Sequence, residues 1–315
     1  SGSVPLNVFT HSDEPGTGIV IKKITNAYTV RAGESSFDCV LSTRLKRQAD
    51  ADPVALGDVV RWNEAGQISE VLPRRNQFSR RSAVPMPGAY AHEQVIAANI
   101  DRVVPVFAAA SPKPAWHLLD RYLVSAESAD IPALVVITKM DLVEGQPEAD
   151  EIRAVADEYR ACGYEVILSS AETGLGLDDL RAALSSGLSV FVGKSGVGKS
   201  SLLNAIEPGL GLRVQATNRA TGKGRHTTTH LEIFEIETGG AIVDTPGIRE
   251  FGLWDLDAGQ LALYFPEMRP WIGRCRFGLG CQHDQEPGCE IRLAVGRGEI
   301  SPYRYQSYLK LKDEQ

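Results

Sequence analysis

The stretch FVGKSGVGKSS, Phe191 to Ser201, decides how this chain is read. Gly193-Lys194-Ser195-Gly196-Val197-Gly198-Lys199-Ser200 fits G-x-x-x-x-G-K-[ST] at every fixed position. It sits between a strand-like run, SVFV, and a helix-like run, KSSLLNAI, which is the context the motif requires. Glycines at this spacing let backbone N–H groups close round phosphate oxygens. Lys199 adds a point charge, the Ser200 hydroxyl a ligand for Mg²⁺, and the helix N-terminus its dipole. A plain Gly-rich turn would not need the lysine and hydroxyl in these places. We therefore expect Gly193, Ser195, Gly196, Val197, Gly198, Lys199, Ser200 and Ser201 to hold the phosphates of a nucleotide.

Sixty residues before Lys199 lies Lys139, in Thr138-Lys139-Met140-Asp141 at the end of the apolar run IPALVVIT. A carboxylate at Asp141 can accept hydrogen bonds from both the ring N–H and the exocyclic amine of guanine, while the Lys139 stem covers the base. The tetrapeptide is similar to the N-K-x-D element of GTPases, with Thr138 in place of Asn; losing the amide is expected to weaken binding without changing the base selected. Ser170-Ala171-Glu172, after the next strand-like run, resembles the element whose backbone touches guanine O6.

Beyond the cradle, Asp244-Thr245-Pro246-Gly247 follows GAIV and resembles the D-x-x-G of a switch. Asp244 would hold Mg²⁺ through water and the Gly247 N–H would sense a γ-phosphate. Between cradle and switch, GKGRHTTTH (Gly222 to His230) offers Thr228 and Thr229 as Mg²⁺ ligands, with nothing to separate the two. Taken alone, this stretch reads equally well as a polar loop. The order is thus guanine elements, cradle, switches: a circular permutation, inexpensive when the old termini lie close together. It places whatever follows Gly247 on the end of a switch, where nucleotide state can pull on it.

Three regions follow. Up to about residue 88, GIVIKKITNAYTVRA, SSFDCVLSTRL, LGDVVRWN and QISEVLP alternate and are broken by Gly, Asp and Asn, predicting a small β-barrel. An OB-fold and an SH3-like barrel both remain open. Residues 89–255 alternate strand and helix in the rhythm of a parallel α/β sheet, with PMPGAY (Pro85 to Tyr90) as the linker before it. Residues 256–315 hold Cys275-x₅-Cys281-x-His283-x₅-Cys289 and a polar helical tail. Three thiolates and an imidazole make a closed tetrahedral set for one structural zinc, with no position open for catalysis. Cys39 and Cys162 stand alone and read as small buried hydrophobes.

The 315 residues carry a net charge of −7, which does not advertise nucleic-acid binding by the whole chain. Residues 1–90 nevertheless hold eleven Lys and Arg against nine Asp and Glu. Within them RRNQFSRR offers Arg74, Arg75, Arg80 and Arg81 around a phenylalanine, suited to phosphate contact and base stacking or simply to a solvated loop. No run of eighteen apolar residues and no basic-then-apolar start is present, so a cytoplasmic location without a membrane anchor is expected.

Together GDVV, RRNQFSRRSA, AANIDRVVPV, SGVGKSSLLNAI, GRHTTT, DTPGIREF, EPGC and RYQSYLKL resemble the ribosome small subunit-dependent GTPase A family (RsgA/YjeQ), from about Gly18 to the end. The resemblance implies an N-terminal OB-fold, a permuted GTPase and a zinc domain, stimulated by the small ribosomal subunit and acting in its late assembly through rRNA; a monomer is expected, though nothing in the sequence fixes the oligomeric state. Ile248 stands where Ras-like enzymes carry the glutamine that orients the attacking water, so intrinsic hydrolysis is expected to be slow. By resemblance His226 takes that role, beside Lys199 and Gly247. The family usually has four residues between its first two cysteines; here there are five, RFGLG. Two other readings stay open: an RNA-binding protein gated by GTP, GDP or ppGpp whose hydrolysis is incidental, and a P-loop kinase, which the guanine elements disfavour.

Overall fold

The structure is a computed structural model and describes residues 16–25, 27–48, 53–81, 93–210, 231–244 and 259–314. The expected domain boundaries near 88 and 255 and the PMPGAY segment lie outside these residues.

The N-terminal strands are β1 (Thr17–Ile24), β2 (Ala27–Ala32) and β3 (Ser35–Leu41), then helix α1 (Thr43–Gln48), β4 (Val59–Trp62) and β5 (Gln67–Val71). β1 pairs with β2 and β4, β2 with β3, β3 with β5 in parallel, and β4 with β5. The five strands therefore close on themselves in the order 1-2-3-5-4-1, with a helix between the third and fourth. That is the OB arrangement, and it resolves the choice against an SH3-like barrel. Alternate residues Val20, Tyr28, Val30 and Ile68 fill the interior. β6 (Gln77–Arg81) then pairs with β7 (Glu93–Ala98) across the linker region.

The next elements are β8 (Arg102–Ala108), α2 (Trp116–Ser128), β9 (Leu134–Thr138), α3 (Pro147–Ala161), β10 (Glu165–Leu168), α4 (Leu177–Ala183), β11 (Leu188–Val192), α5 (Lys199–Ile206), β12 (Leu231–Glu235) and β13 (Ala241–Asp244). Local chemistry explains α3 well: proline at its first turn, acids Glu148 and Asp150 beside the N-terminus, Arg160 in the last turn, and Gly163 at φ 95° just past its end. The sheet order is β10-β9-β8-β11-β13-β12, parallel except for β12. Strands β9 and β11 are buried at every position, as a sheet covered on both faces requires. The guanine elements and the cradle follow the carboxyl ends of these parallel strands, where ligands of open α/β sheets bind.

Two junctions join the parts. β12 pairs antiparallel with β1 of the barrel, Lys22 opposite Glu232 and Lys23 opposite Leu231, so one eleven-stranded sheet runs through both. Ion pairs Lys22–Glu232 (3.1 Å) and Arg31–Glu235 cross this seam. The C-terminal region, with α6 (Glu290–Gly296) and α7 (Pro302–Asp313), has its own core of Phe265, Met268, Ile291 and Tyr308, into which Val124 of α2 inserts. Ser301 caps α7, its hydroxyl accepting from the Tyr303 and Arg304 N–H groups ahead of Pro302.

Candidate nucleotide site and metal centre

The phosphate cradle leaves β11 at Gly193, whose φ is 149°. A Cβ there would lie 2.4 Å from the Val106 carbonyl of neighbouring β8, so only glycine lets the turn begin so close to the sheet. Gly196 and Gly198 also have positive φ, and Val197 between them is buried in the core, anchoring the loop from below. Lys199 opens α5 and folds its ammonium back over the loop, donating to the carbonyls of Gly193 (2.6 Å) and Lys194 (3.2 Å). Ser200 and Ser201 lie in the first turn of that helix.

The residues expected to read a base meet this loop, with Lys139 sixty positions before Lys199. Lys139 takes a left-handed conformation, φ 58°, and its Nζ donates to the Gly196 carbonyl at 2.6 Å and to the Ser111 carbonyl. Burial lowers its pKa, partly offset by the nearby Asp141 carboxylate. Thr138, itself buried, points its hydroxyl at Val197. Asp141 accepts a hydrogen bond from Ser170, whose oxygen also accepts from the N–H groups of Glu172 and Thr173. The loop of Ser170 and Ala171 is thereby fixed to the loop of Asp141. Ser111, with φ 50°, is a participant that sequence reading missed; it acts through its carbonyl, which carries no sequence signal. His226, Thr228, Thr229 and Gly247 lie outside the described residues. Of Asp244 the backbone is described, at the end of β13, and its side chain is not.

Cys275, Cys281, His283 and Cys289 come together as four buried groups whose ligand atoms all lie within 4.8 Å of one another. The Cys275 Sγ to His283 Nδ1, Cys289 Sγ to His283 Nδ1 and Cys275 Sγ to Cys289 Sγ separations are 3.5, 3.6 and 3.9 Å. Zinc bond lengths in a regular tetrahedron give edges of about 3.5 Å for sulfur to nitrogen and about 3.8 Å for sulfur to sulfur. The donor set and its spacing thus fit one tetrahedral zinc. Burial pushes the Cys281 and Cys289 thiols up, so metal binding must displace protons here. The five-residue spacer is absorbed by a short 3₁₀ turn at Gly278–Gly280, with Gly278 at positive φ.

A model of the RsgA GTPase family matches residues 71–254. A protein of Gemmatimonas aurantiaca named small ribosomal subunit biogenesis GTPase RsgA is 43% identical over 306 residues, covering 95% of this chain and 97% of its own length. The chain belongs to the RsgA GTPase family. Its RsgA relative from Pseudomonas aeruginosa is 43% identical over 266 residues, 84% of this chain and 77% of that protein. Two solved structures share the fold. YjeQ from Thermotoga maritima has a TM-score of 0.75 at 32% identity, covering 95% of this chain and 97% of its own. YloQ, described as a circularly permuted GTPase, has a TM-score of 0.70 at 32% identity, covering 97% and 96%. The permutation read from the motif order is therefore the fold of this RsgA chain.

The arginines expected to reach RNA divide. Arg74 pairs with fully buried Asp58 through Nε (2.7 Å) and Nη2 (2.8 Å), and also donates to the Pro53 carbonyl and Gln77. Arg75 donates to the carbonyls of Asn99 and Ile100 and to Asp101 at 2.6 Å. Both guanidiniums are engaged in the barrel or its junction with β8. Arg80 and Arg81 end β6, with side chains outside the described set.

Proposed function

We propose that this chain hydrolyses GTP to GDP and phosphate and acts in biogenesis of the small ribosomal subunit, which stimulates it. The observation carrying the nucleotide half is the Lys139 ammonium on the Gly196 carbonyl: the guanine-reading loop and the phosphate cradle form one site. The biological half rests on relatives named for small-subunit biogenesis that match most of the chain. A kinase has no use for Asp141 beside Ser170, and the nucleotide-gated binder has no observation in its favour.

In this reading Asp141 takes both guanine donors, Lys139 covers the base, and Ser170 and Ala171 close its far edge. The cradle's N–H groups and Lys199 neutralise charge that develops on the phosphates. Ser200, Asp244 and one of Thr228 or Thr229 would hold Mg²⁺, which supplies further charge neutralisation at the phosphates. His226 orients water, since Ile248 has no polar group to do so, and Gly247 senses the γ-phosphate. Zinc at Cys275, Cys281, His283 and Cys289 is structural, because the protein fills all four positions. RNA contact falls to Arg80 and Arg81 of β6, next to Arg74 and Arg75, which are engaged in the barrel and its junction with β8. The metal domain adds Arg274 and Arg297 over the Trp271 ring and exposes Phe277 and Leu279. The working divisions are 1–88, 89–255 and 256–315, in a cytoplasmic monomer. No helix among the described residues is long and apolar enough to cross a membrane.

Replacing Asp141 with Asn exchanges an acceptor for a donor, so preference should move from GTP to XTP by at least tenfold in kcat/KM. Unchanged preference contradicts the guanine assignment.

A further inference from the structure

Two backbone carbonyls converge on one side-chain atom beneath the nucleotide site. Val197, in the cradle, places its oxygen 2.5 Å from Thr138 Oγ1, and Phe107, at the end of β8, places its own at 3.2 Å. Thr138 is 3% exposed, so neither contact is mediated by bulk water. A hydroxyl carries a single proton and can make one full hydrogen bond to two acceptors. A primary amide carries two N–H donors and could serve both, and an amide is what N-K-x-D places at this position.

The surroundings make the contact mechanical. A Cβ added to Gly198 would lie 3.5 Å from Thr138 Oγ1 and 3.6 Å from Lys139 Cε, so the last cradle glycine rests directly on the guanine loop. Lys139 supplies a parallel tie to Gly196 and Ser111. A nucleotide held at its base by one loop and at its phosphates by the other leaves when the two part. Thr138 ties those loops from a buried position.

We propose that Thr138 is a positioning residue that braces the guanine loop to the phosphate cradle with one donor where an amide would supply two, and that this single-donor brace sets the rate of nucleotide release. This rests on the nucleotide-site reading above. A chain braced this way discharges GDP faster than its amide counterpart, with no change in which base is chosen.

The test is stopped-flow release of fluorescent GDP, and separately of fluorescent ADP, from the full chain carrying Thr138→Ser, Thr138→Val or Thr138→Asn. Loss of one buried hydrogen bond predicts roughly five- to tenfold faster release from the valine variant. The serine variant, which keeps the hydroxyl, should stay within about twofold of the parent, and the asparagine variant should release several-fold more slowly. Guanine-over-adenine preference should be the same in all three. A valine variant that melts with the parent when nucleotide-free and releases GDP at the parent's rate overturns the proposal. So does an asparagine variant no slower than the serine variant, a comparison that stands if the valine variant fails to fold. If the parent binds ADP as well as GDP, the guanine reading fails by itself. The brace is still judged by whether release ranks valine fastest and asparagine slowest.

Discussion

Arg304 carries its charge with no surface in contact with solvent. Its guanidinium pairs with Asp120 of α2, also fully buried, and with Glu267 at 2.7 Å, while the Phe265 ring lies 4.6 Å from its central carbon. Tyr159 of α3 completes the group by donating to Asp120 at 2.8 Å. The C-terminal region is thus tied to α2 and α3, which flank the loop of Lys139 and Asp141 in sequence. Removing one partner of a buried pair leaves the other charge uncompensated. Arg304→Met should therefore cost about 3–5 kcal/mol, read as a lowered midpoint in urea denaturation. A loss below about 1 kcal/mol would mean the pair adds little beyond packing. None of this was legible in the sequence. Arg304 sits in the polar run PYRYQSYLK, and its partner is 184 residues away, so no local pattern marks it. Gly193 to Ser200 was legible for the opposite reason: one loop and one helix turn contain the whole motif. In sequence Arg74 is one of four arginines suited to RNA phosphate; its pairing with Asp58, sixteen positions earlier, has no local pattern to mark it.

Among the elements, α7 does more than end the chain. Tyr305 donates to the His283 carbonyl at 2.8 Å, and Tyr308 and Lys312 donate to that of Gln282 at 3.0 and 2.9 Å. Glu286 holds the same loop from the other side, accepting from the N–H groups of Gln282 and Asp284. Helix and loop together fix His283, which has positive φ, toward the three sulfurs. Removing zinc with a chelator should open this loop and expose three thiols to Ellman's reagent that are protected in the native chain. GDP binding should be retained, since the nucleotide site is built on other elements. Thiols that stay protected after verified metal removal would contradict a zinc-held loop. Tyr308→Phe, which removes one hydrogen bond, should cost about 1 kcal/mol and sensitise the loop to chelator, measured as faster thiol reaction. The strand character of β12 was readable from LEIFEIE, whereas its pairing with β1 was not, because periodicity identifies an exposed edge without naming what covers it.

Across the whole molecule, the permutation places the functional parts round one sheet. The barrel continues the sheet beyond β12, which follows the switch I region, and the metal domain rests on α2. The α/β sheet thus meets the barrel by strand pairing, and its helices meet the metal domain through the Arg304 network. A net charge of −7 leaves attraction to RNA to local surfaces, so binding to a ribosomal particle should weaken with salt more than the fold does. The small subunit is expected to switch on a slow GTPase. The most direct test is GTP hydrolysis by the purified chain at fixed salt, with and without small ribosomal subunits, using large subunits and ATP as controls. The account predicts slow hydrolysis alone and stimulation of at least a hundredfold by small subunits only, specific to GTP. Unstimulated hydrolysis combined with tighter subunit binding in GTP than in GDP would contradict it and leave a nucleotide-gated RNA-binding protein in its place.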